Sequence, residues 1–189
     1  LASIAWEIRI QLNALYMKFQ TNIALSFFLF CSPLLGMSQG KLTDEDLFNQ
    51  VVTDFRESIA TKDSLRFNAL FFSEAVAFVG IMSKETEWSI KKDYAEFEGI
   101  AVSNHRKFIR EICLSNKEQR EEFYKVKTTS NQTIGSISFD YAYFSGDRMI
   151  QWGSEKWNLV KVGETWLIPD VIFSIRFPEV EAFPYGGIK

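Results

Sequence analysis

The run from Gly135 to Phe177, GSISFDYAYFSGDRMIQWGSEKWNLVKVGETWLIPDVIFSIRF, reads as three long strands joined by two tight turns. Ile137, Phe139, Tyr141 and Tyr143 alternate with Ser136, Ser138, Asp140 and Ala142, the period-2 pattern of a strand with one buried face. Ser145-Gly146-Asp147 interrupts the alternation, and Gly146 can take the positive φ of a hairpin turn. A second strand runs from Met149 to Val162, Gly163-Glu164 breaks it, and a third runs from Thr165 to Phe177. Both breaks are far shorter than the roughly dozen residues of a parallel crossover, so the strands are antiparallel neighbours. Pro169 cannot donate to a ladder, which predicts an edge, a bulge or solvent beside it.

A chain of 189 residues has room for one domain with a sizeable core. Aromatic residues make up 15% of it, with 18 Phe, which excludes disorder as the main reading and suits a deep core or an apolar cavity. The net charge of −3 argues against a nucleic-acid partner, which would favour a basic face. One His, with the single Cys expected in the mature chain, makes no transition-metal constellation of the usual spacing. Neither a Ser-His-Asp arrangement nor a phosphate-cradling glycine loop is found, and no metal or cofactor is expected.

The chain does not begin with Met, and residues 1–16 read as an upstream extension. From Met17 the pattern is that of a secretory signal: Lys18 as a short positive region, Ile23 to Phe30 as the apolar region, Pro33 as its break. Gly36 and Ser38 place small residues at a cleavage site before Gln39. Residues 17–38 are therefore expected to be removed, leaving a secreted or periplasmic domain over 39–189. Retention as an anchor is the alternative, but the apolar run is short of the roughly 20 residues needed to span a bilayer, and no membrane span is expected in the mature chain. A lipoprotein at Cys31 is disfavoured by Phe30 before it. Cys113 then remains alone, without an internal disulfide partner, and is expected to be a small buried hydrophobe on a helix face.

Thr43-Asp44-Glu45-Asp46 has the form of a capped helix start, followed by Leu47, Phe48, Val51, Val52, Phe55 and Ile59 on one stripe. Asp63 can cap a second, shorter helix, and Ala75 to Met82 reads as a buried strand. Residues 83–100 read as a loop with a turn of helix. Ser103 is expected to cap a third helix with His105, Phe108, Ile109 and Ile112 on one face. Glu121 to Thr129 then starts the sheet, with a turn at Ser130-Asn131-Gln132.

This order, with Phe139-Asp140-Tyr141, Trp152-Gly153-Ser154-Glu155-Lys156-Trp157, Leu159-Val160-Lys161-Val162, Gly163, Trp166, Ile168 and Val171-Ile172-Phe173-Ser174, resembles the nuclear-transport-factor-2-like, or SnoaL-like, superfamily. More narrowly, it is similar to secreted bacterial members of unknown function. The resemblance covers roughly Leu42 to Phe177 and implies an α+β, cone-shaped, cystatin-like fold: long N-terminal helices packed on a curved antiparallel sheet, with a pocket at the wide end. The superfamily includes isomerases, dehydratases, cyclases and epoxide hydrolases beside many members without known activity, so fold alone does not assign function. Its steroid isomerases carry an Asp base near the end of the first inner strand. Here Val79-Gly80-Ile81-Met82-Ser83 holds no acid, a departure from that chemistry.

If Gly163-Glu164 is a two-residue turn, Leu159 lies opposite Ile168, Trp157 opposite Asp170 and Glu155 opposite Ile172. Trp166, Ile168, Asp170 and Ile172 then share a face with Leu159, Trp157 and Glu155. A three-residue turn at Ser145-Gly146-Asp147 adds Ile137, Phe139, Tyr141 and Tyr143 to it, whereas a two-residue turn puts the tyrosines on the other face. Toward its open end this face would present Glu155 and Asp170 with Tyr141 and Tyr143, and Trp157 is the tryptophan best placed to line a cavity. A carboxylate and a phenol in an apolar cavity suit proton transfer beside a carbonyl. The alternative is that both acids face outward or pair with Lys or Arg. His105 is open to two readings, a pocket base as in the dehydratase branch or a satisfied or surface histidine.

The leading expectation is a non-catalytic site for a small apolar or aromatic molecule, lined by Tyr141, Tyr143, Glu155, Trp157, Asp170 and His105. The second is an isomerase- or lyase-type enzyme, without metal, using Glu155, Asp170 or His105. The third is a structural homodimer through the sheet, because the opposite face would expose Trp152, Val160, Leu167, Val171 and Phe173.

Overall fold

The computed structural model describes residues 42–186. The expected extension, signal segment and cleavage site, with Cys31, lie outside the described residues.

Helix α1 (Asp44–Thr61) starts where Thr43 accepts from the Asp46 N–H while the Asp46 carboxylate accepts from the Thr43 N–H. The reciprocal cap, worth about 1 kcal/mol, ties down two otherwise orphan donors. Lys62, in the left-handed region at φ 59°, ends the helix. Phe48, Val51, Phe55 and Ile59 are buried along one stripe. Asp63 caps α2 (Ser64–Asn68) through the N–H groups of Leu65 and Arg66, and β1 (Ala77–Met82) follows.

Residues 83–100 hold more structure than expected. Ser83 caps α3 (Lys84–Lys91), and β2 (Ile100–Asn104) pairs antiparallel with β1. The strand is illegible in the sequence because it lies at the sheet's edge and leaves Ile100 and Val102 exposed. Asn104, not Ser103, caps α4 (His105–Leu114), its side-chain oxygen accepting from the Lys107 N–H. Cys113 is exposed, contrary to expectation: α4 buries His105, Ile109 and Ile112, and Cys113 falls a residue round from that stripe.

The remaining strands are β3 (Gln119–Ser130), β4 (Ile134–Ser145), β5 (Arg148–Val162), β6 (Thr165–Leu167) and β7 (Val171–Ile175). The sheet runs β2-β1-β7-β5-β4-β3, with β6 also pairing β5. All pairings are antiparallel except β1 with β7, so the sheet is mixed rather than purely antiparallel. The chain between β1 and β7 is long enough to allow that parallel pair.

Three irregularities set which residues face α1. In β3, Lys125 takes a positive φ of 53° and the register shifts between Tyr124 and Lys127. The β4–β5 hairpin has a two-residue turn, Ser145 pairing with Arg148, but the register shifts again between Tyr143 and Phe144. Past the shift Tyr141 faces Gly153 and Phe139 faces Glu155, two residues on from the pairing a three-residue turn at 145–147 would give, so the same side chains still face inward. The third lies at Pro169: Val160 pairs with Leu167, but Trp157 pairs with Val171 rather than Asp170. Such extra residues bend a sheet and increase its twist.

The register change at Pro169 corrects the expected inner face. Trp166 and Ile168 are buried as expected, but Val171 and Ile175 replace Asp170 and Ile172 inside, and Ile172 is exposed. Val171 and Phe173 therefore leave the outer face. Trp152 stays there, packed against Phe183 of the C-terminal segment. The core is built on rings, with Phe55 against Trp157 at 4.5 Å between centroids and Phe48 edge-on to Trp166 at 4.9 Å.

Candidate ligand-binding site

Between α4 and the sheet lies a cavity of ≈ 500 Å³. Helix α1 supplies Phe55 to its wall, α4 supplies Phe108 and Ile112, β1 supplies Phe78, and β7 supplies Phe173 and Ile175. Polar groups enter from neighbouring strands: Gln119 and Glu121 on β3, Tyr141 and Tyr143 on β4, Gln151 and Glu155 on β5. The strand alternation places all of these on one face. Glu121 pairs with Tyr143, Glu155 pairs with Phe139, and Tyr141 lies on the strand between the two acids.

Both glutamates are buried, Glu121 to 5% exposure and Glu155 to 7%. Glu155 accepts from the Trp157 indole N–H at 2.5 Å. Glu121 Oε2 has no hydrogen-bond partner. No lysine, arginine or histidine is among the residues lining the cavity, and Glu111 from α4 adds a third acid. Burial pushes the Glu155 carboxyl up to about 7, against the indole N–H that favours its ionised form. Burial first, and then the Glu155 charge, hold Glu121 well above the usual carboxylate range. Burial thus favours the protonated form of Glu121.

The phenols are already engaged. Tyr141 donates to the Ser174 carbonyl at 2.9 Å and accepts from Gln151 at 3.1 Å. Tyr143 donates to Gln119 Oε1, and Gln119 donates in turn to Ser115 and Ser145, each at 2.9 Å. Burial and the neighbouring acids push Tyr143 up to about 12 and Tyr141 well above its ordinary value. Both stay neutral and hold the floor of the cavity in place.

The other expected residues lie elsewhere. Trp157 is fully buried core, reaching the site only through its N–H to Glu155. His105 is also core: its ring stacks on Phe71 at 4.4 Å, and Nδ1 accepts from the Val76 N–H at 3.2 Å. Burial lowers its pKa. Asp170 accepts from the Asn158 amide at 2.9 Å and 3.1 Å, away from the cavity, as the register change at Pro169 dictates. The structure thus brings together Glu155, Tyr141 and Tyr143 of the expected set and separates them from Trp157, Asp170 and His105. No group of three or more His, Cys, Asp or Glu suited to a metal occurs among the described residues.

Glu121 escapes a reading of the sequence. Counting back from the Ser130 turn with unbroken pairing puts Glu122 opposite Tyr143 and turns Glu121 outward. The bulge at Lys125 exchanges the two. The one available signal is that Gln119, Glu121 and Phe123 alternate upstream of the bulge, with Phe123 pairing with Tyr141.

No family model matches the sequence, and no curated protein matches it. Solved structures do. The chain is similar to a nuclear-transport-factor-2-like protein from Cytophaga hutchinsonii, at 7% identity and a TM-score of 0.53, over 71% of this chain and 100% of that one. A nuclear-transport-factor-2-like protein with a cystatin-like fold from Novosphingobium aromaticivorans gives 8% identity and 0.51, over 70% and 81%. A protein of unknown function with a cystatin-like fold from Nostoc punctiforme gives 14% and 0.50, over 76% and 98%. The domain therefore has the cystatin-like, nuclear-transport-factor-2-like fold.

Proposed function

We propose that this domain binds a small, mainly apolar or aromatic molecule in the cavity between α4 and the sheet. The observation that carries the reading is a ≈ 500 Å³ hollow walled by Phe55, Phe78, Phe108 and Phe173, with Glu121, whose Oε2 has no hydrogen-bond partner, among its lining residues. Rings supply the apolar contact, and a few placed polar groups orient the ligand, the usual make-up of a small-molecule site. A thermal-shift screen of small aromatic molecules tests it. A ligand at about 100 times its Kd should add about 2.7 kcal/mol to the folded state. The reading fails if no compound shifts the melt while bulky substitutions such as Ala101→Trp, which fill the cavity, leave the melt unchanged or raise it.

The paired acids favour a second reading, proton transfer beside a carbonyl. Glu155, near 7, is poised as a base, and protonated Glu121 can donate to the developing oxyanion. The phenols are not the donors here, because their protons are held by Ser174 and Gln119. Exchange of α-protons of cyclic ketones in D₂O, lost in Glu155→Gln, is the expected result. Exchange unaffected by that substitution excludes Glu155 as the base.

We also propose that the domain acts outside the cytoplasm after removal of residues 17–38. Mass spectrometry of the exported protein should find Gln39 at its N-terminus; a retained leader excludes cleavage. No helix among the described residues is long and apolar enough to cross a membrane.

A further inference from the structure

We propose that the ligand is an organic cation, an amine on an apolar or aromatic body, whose ammonium donates to Glu121 Oε2 beside Glu155 while its body lies against the phenylalanine rings. This rests on the binding reading above and names the class of molecule it takes.

The charge around the cavity is one-sided. Glu111, Glu121 and Glu155 line it, and no basic side chain does. Two buried acids without a cationic partner are costly to fold around, and the cost is relieved when a positive charge arrives. Glu121 sharpens the point: its side chain is buried, lines the cavity, and leaves Oε2 without a hydrogen bond. An ammonium supplies the missing donor and the missing charge together. The rings add to this, since a cation over an aromatic face is attracted by its quadrupole. An anionic ligand would meet three carboxyl groups. A neutral alcohol could reach Oε2 but would bring no positive charge to favour the ionised carboxylates.

The arrangement also predicts the fate of a proton. Burial favours the protonated form of Glu121 in the free protein and a bound ammonium favours the ionised one, so binding should release protons to solvent. The titratable and charged groups facing the pair are Tyr141 and Tyr143 from β4, Glu111 from α4, and Arg176 beyond β7, whose charge acts on Tyr141. Both tyrosines remain neutral over the pH range concerned, and Arg176 is held by Glu181 at 3.2 Å, leaving the glutamates to carry the change.

The test is calorimetric titration of the purified protein with amines, each matched to the alcohol and the carboxylate of the same skeleton, beginning with phenethylamine, phenethyl alcohol and hydrocinnamate. The amine of a pair should bind at least about tenfold tighter than its alcohol, and the carboxylate most weakly. Repeating the amine titration in buffers of different ionisation enthalpy should show proton release. Glu121→Gln should lower amine affinity about tenfold, leave the alcohol unchanged and abolish the release. Glu155→Gln provides the same comparison if the first variant does not fold. Equal affinity for amine and alcohol, or preference for the carboxylate, overturns the cation assignment while the binding site stands. No binding by any member of the panel overturns both.

Discussion

Glu121 and Glu155 are costly residues for a fold to bury, and the cost has a definite sign with pH. A carboxyl held above its unfolded value binds a proton more tightly when folded. Its contribution favours the folded state below the unfolded pKa and is lost as pH rises through the folded one. Glu121→Gln removes that loss. The variant should melt higher than the wild type at about pH 8, by at least roughly 2–4 °C, the equivalent of about 1 kcal/mol in a domain of this size. Near pH 4 the gain should vanish, as differential scanning calorimetry at the two pH values would show. Trp157 acts in the opposite sense, since its N–H favours ionised Glu155. Trp157→Phe should raise the Glu155 pKa further, measurable by ¹³C NMR of the labelled carboxyl, and cost stability through the smaller ring. A fall in that pKa would show that the indole bond does not hold the charge.

Among the elements, β5 depends on one glycine. Gly153 lies opposite Tyr141, and a Cβ there would stand 2.0 Å from the Ser174 carbonyl oxygen. That carbonyl accepts the Tyr141 hydroxyl, and the Ser174 hydroxyl accepts from the Ser154 N–H at 2.8 Å. The bare Cα lets β7 come close enough to fix the cavity floor. Gly153→Ala should therefore cost roughly 1–3 kcal/mol, the range for overpacking a filled site. The measure is the denaturation midpoint, together with a change in the Tyr141 environment by NMR. No change in either would mean that β7 shifts without strain.

For the molecule as a whole, the C-terminal segment closes the outer sheet face. Glu181 is its anchor: its carbonyl accepts from the Trp152 indole at 3.0 Å, and its carboxylate meets Arg176 at 3.2 Å and the Thr86 hydroxyl at 3.1 Å, with a further bond from Ser83. Tyr185 stacks on Tyr124 at 4.6 Å, and Phe183 packs on both Tyr124 and Trp152. Glu181→Ala should release this segment, red-shift tryptophan emission and lower stability by about 1–3 kcal/mol, a loss expected where buried donors lose their acceptor. Unchanged emission would show that the rings alone hold the segment. Beyond it, Ile172 and Ile81 remain exposed on the same face. If two copies pair through the sheet, the third expectation from the sequence, Ile172→Lys should convert a dimer to monomer in sedimentation velocity; a wild type already monomeric at high concentration excludes the pairing.

Local chemistry was readable along the chain: the Thr43 cap, the α1 stripe, the alternation of β4 and the turns at Gly146 and Gly163 all depend on residues close in sequence. The inward facing of Trp157, Trp166 and Ile168 follows from that alternation. Facing direction beyond an irregularity did not follow, because a strand has period two and each extra residue reverses it. The bulge at Lys125 brought Glu121 inside, the break at Pro169 turned Asp170 away, and the shift beside Tyr143 kept the tyrosines in. Pro169 marks its own break in the sequence, but the shifts at Lys125 and beside Tyr143 have no comparable local mark, and none of the three shows from the pattern alone which way the next residues turn. The sheet was written in the order of residues, whereas the pair of acids in the cavity arose from how three strands slip past one another.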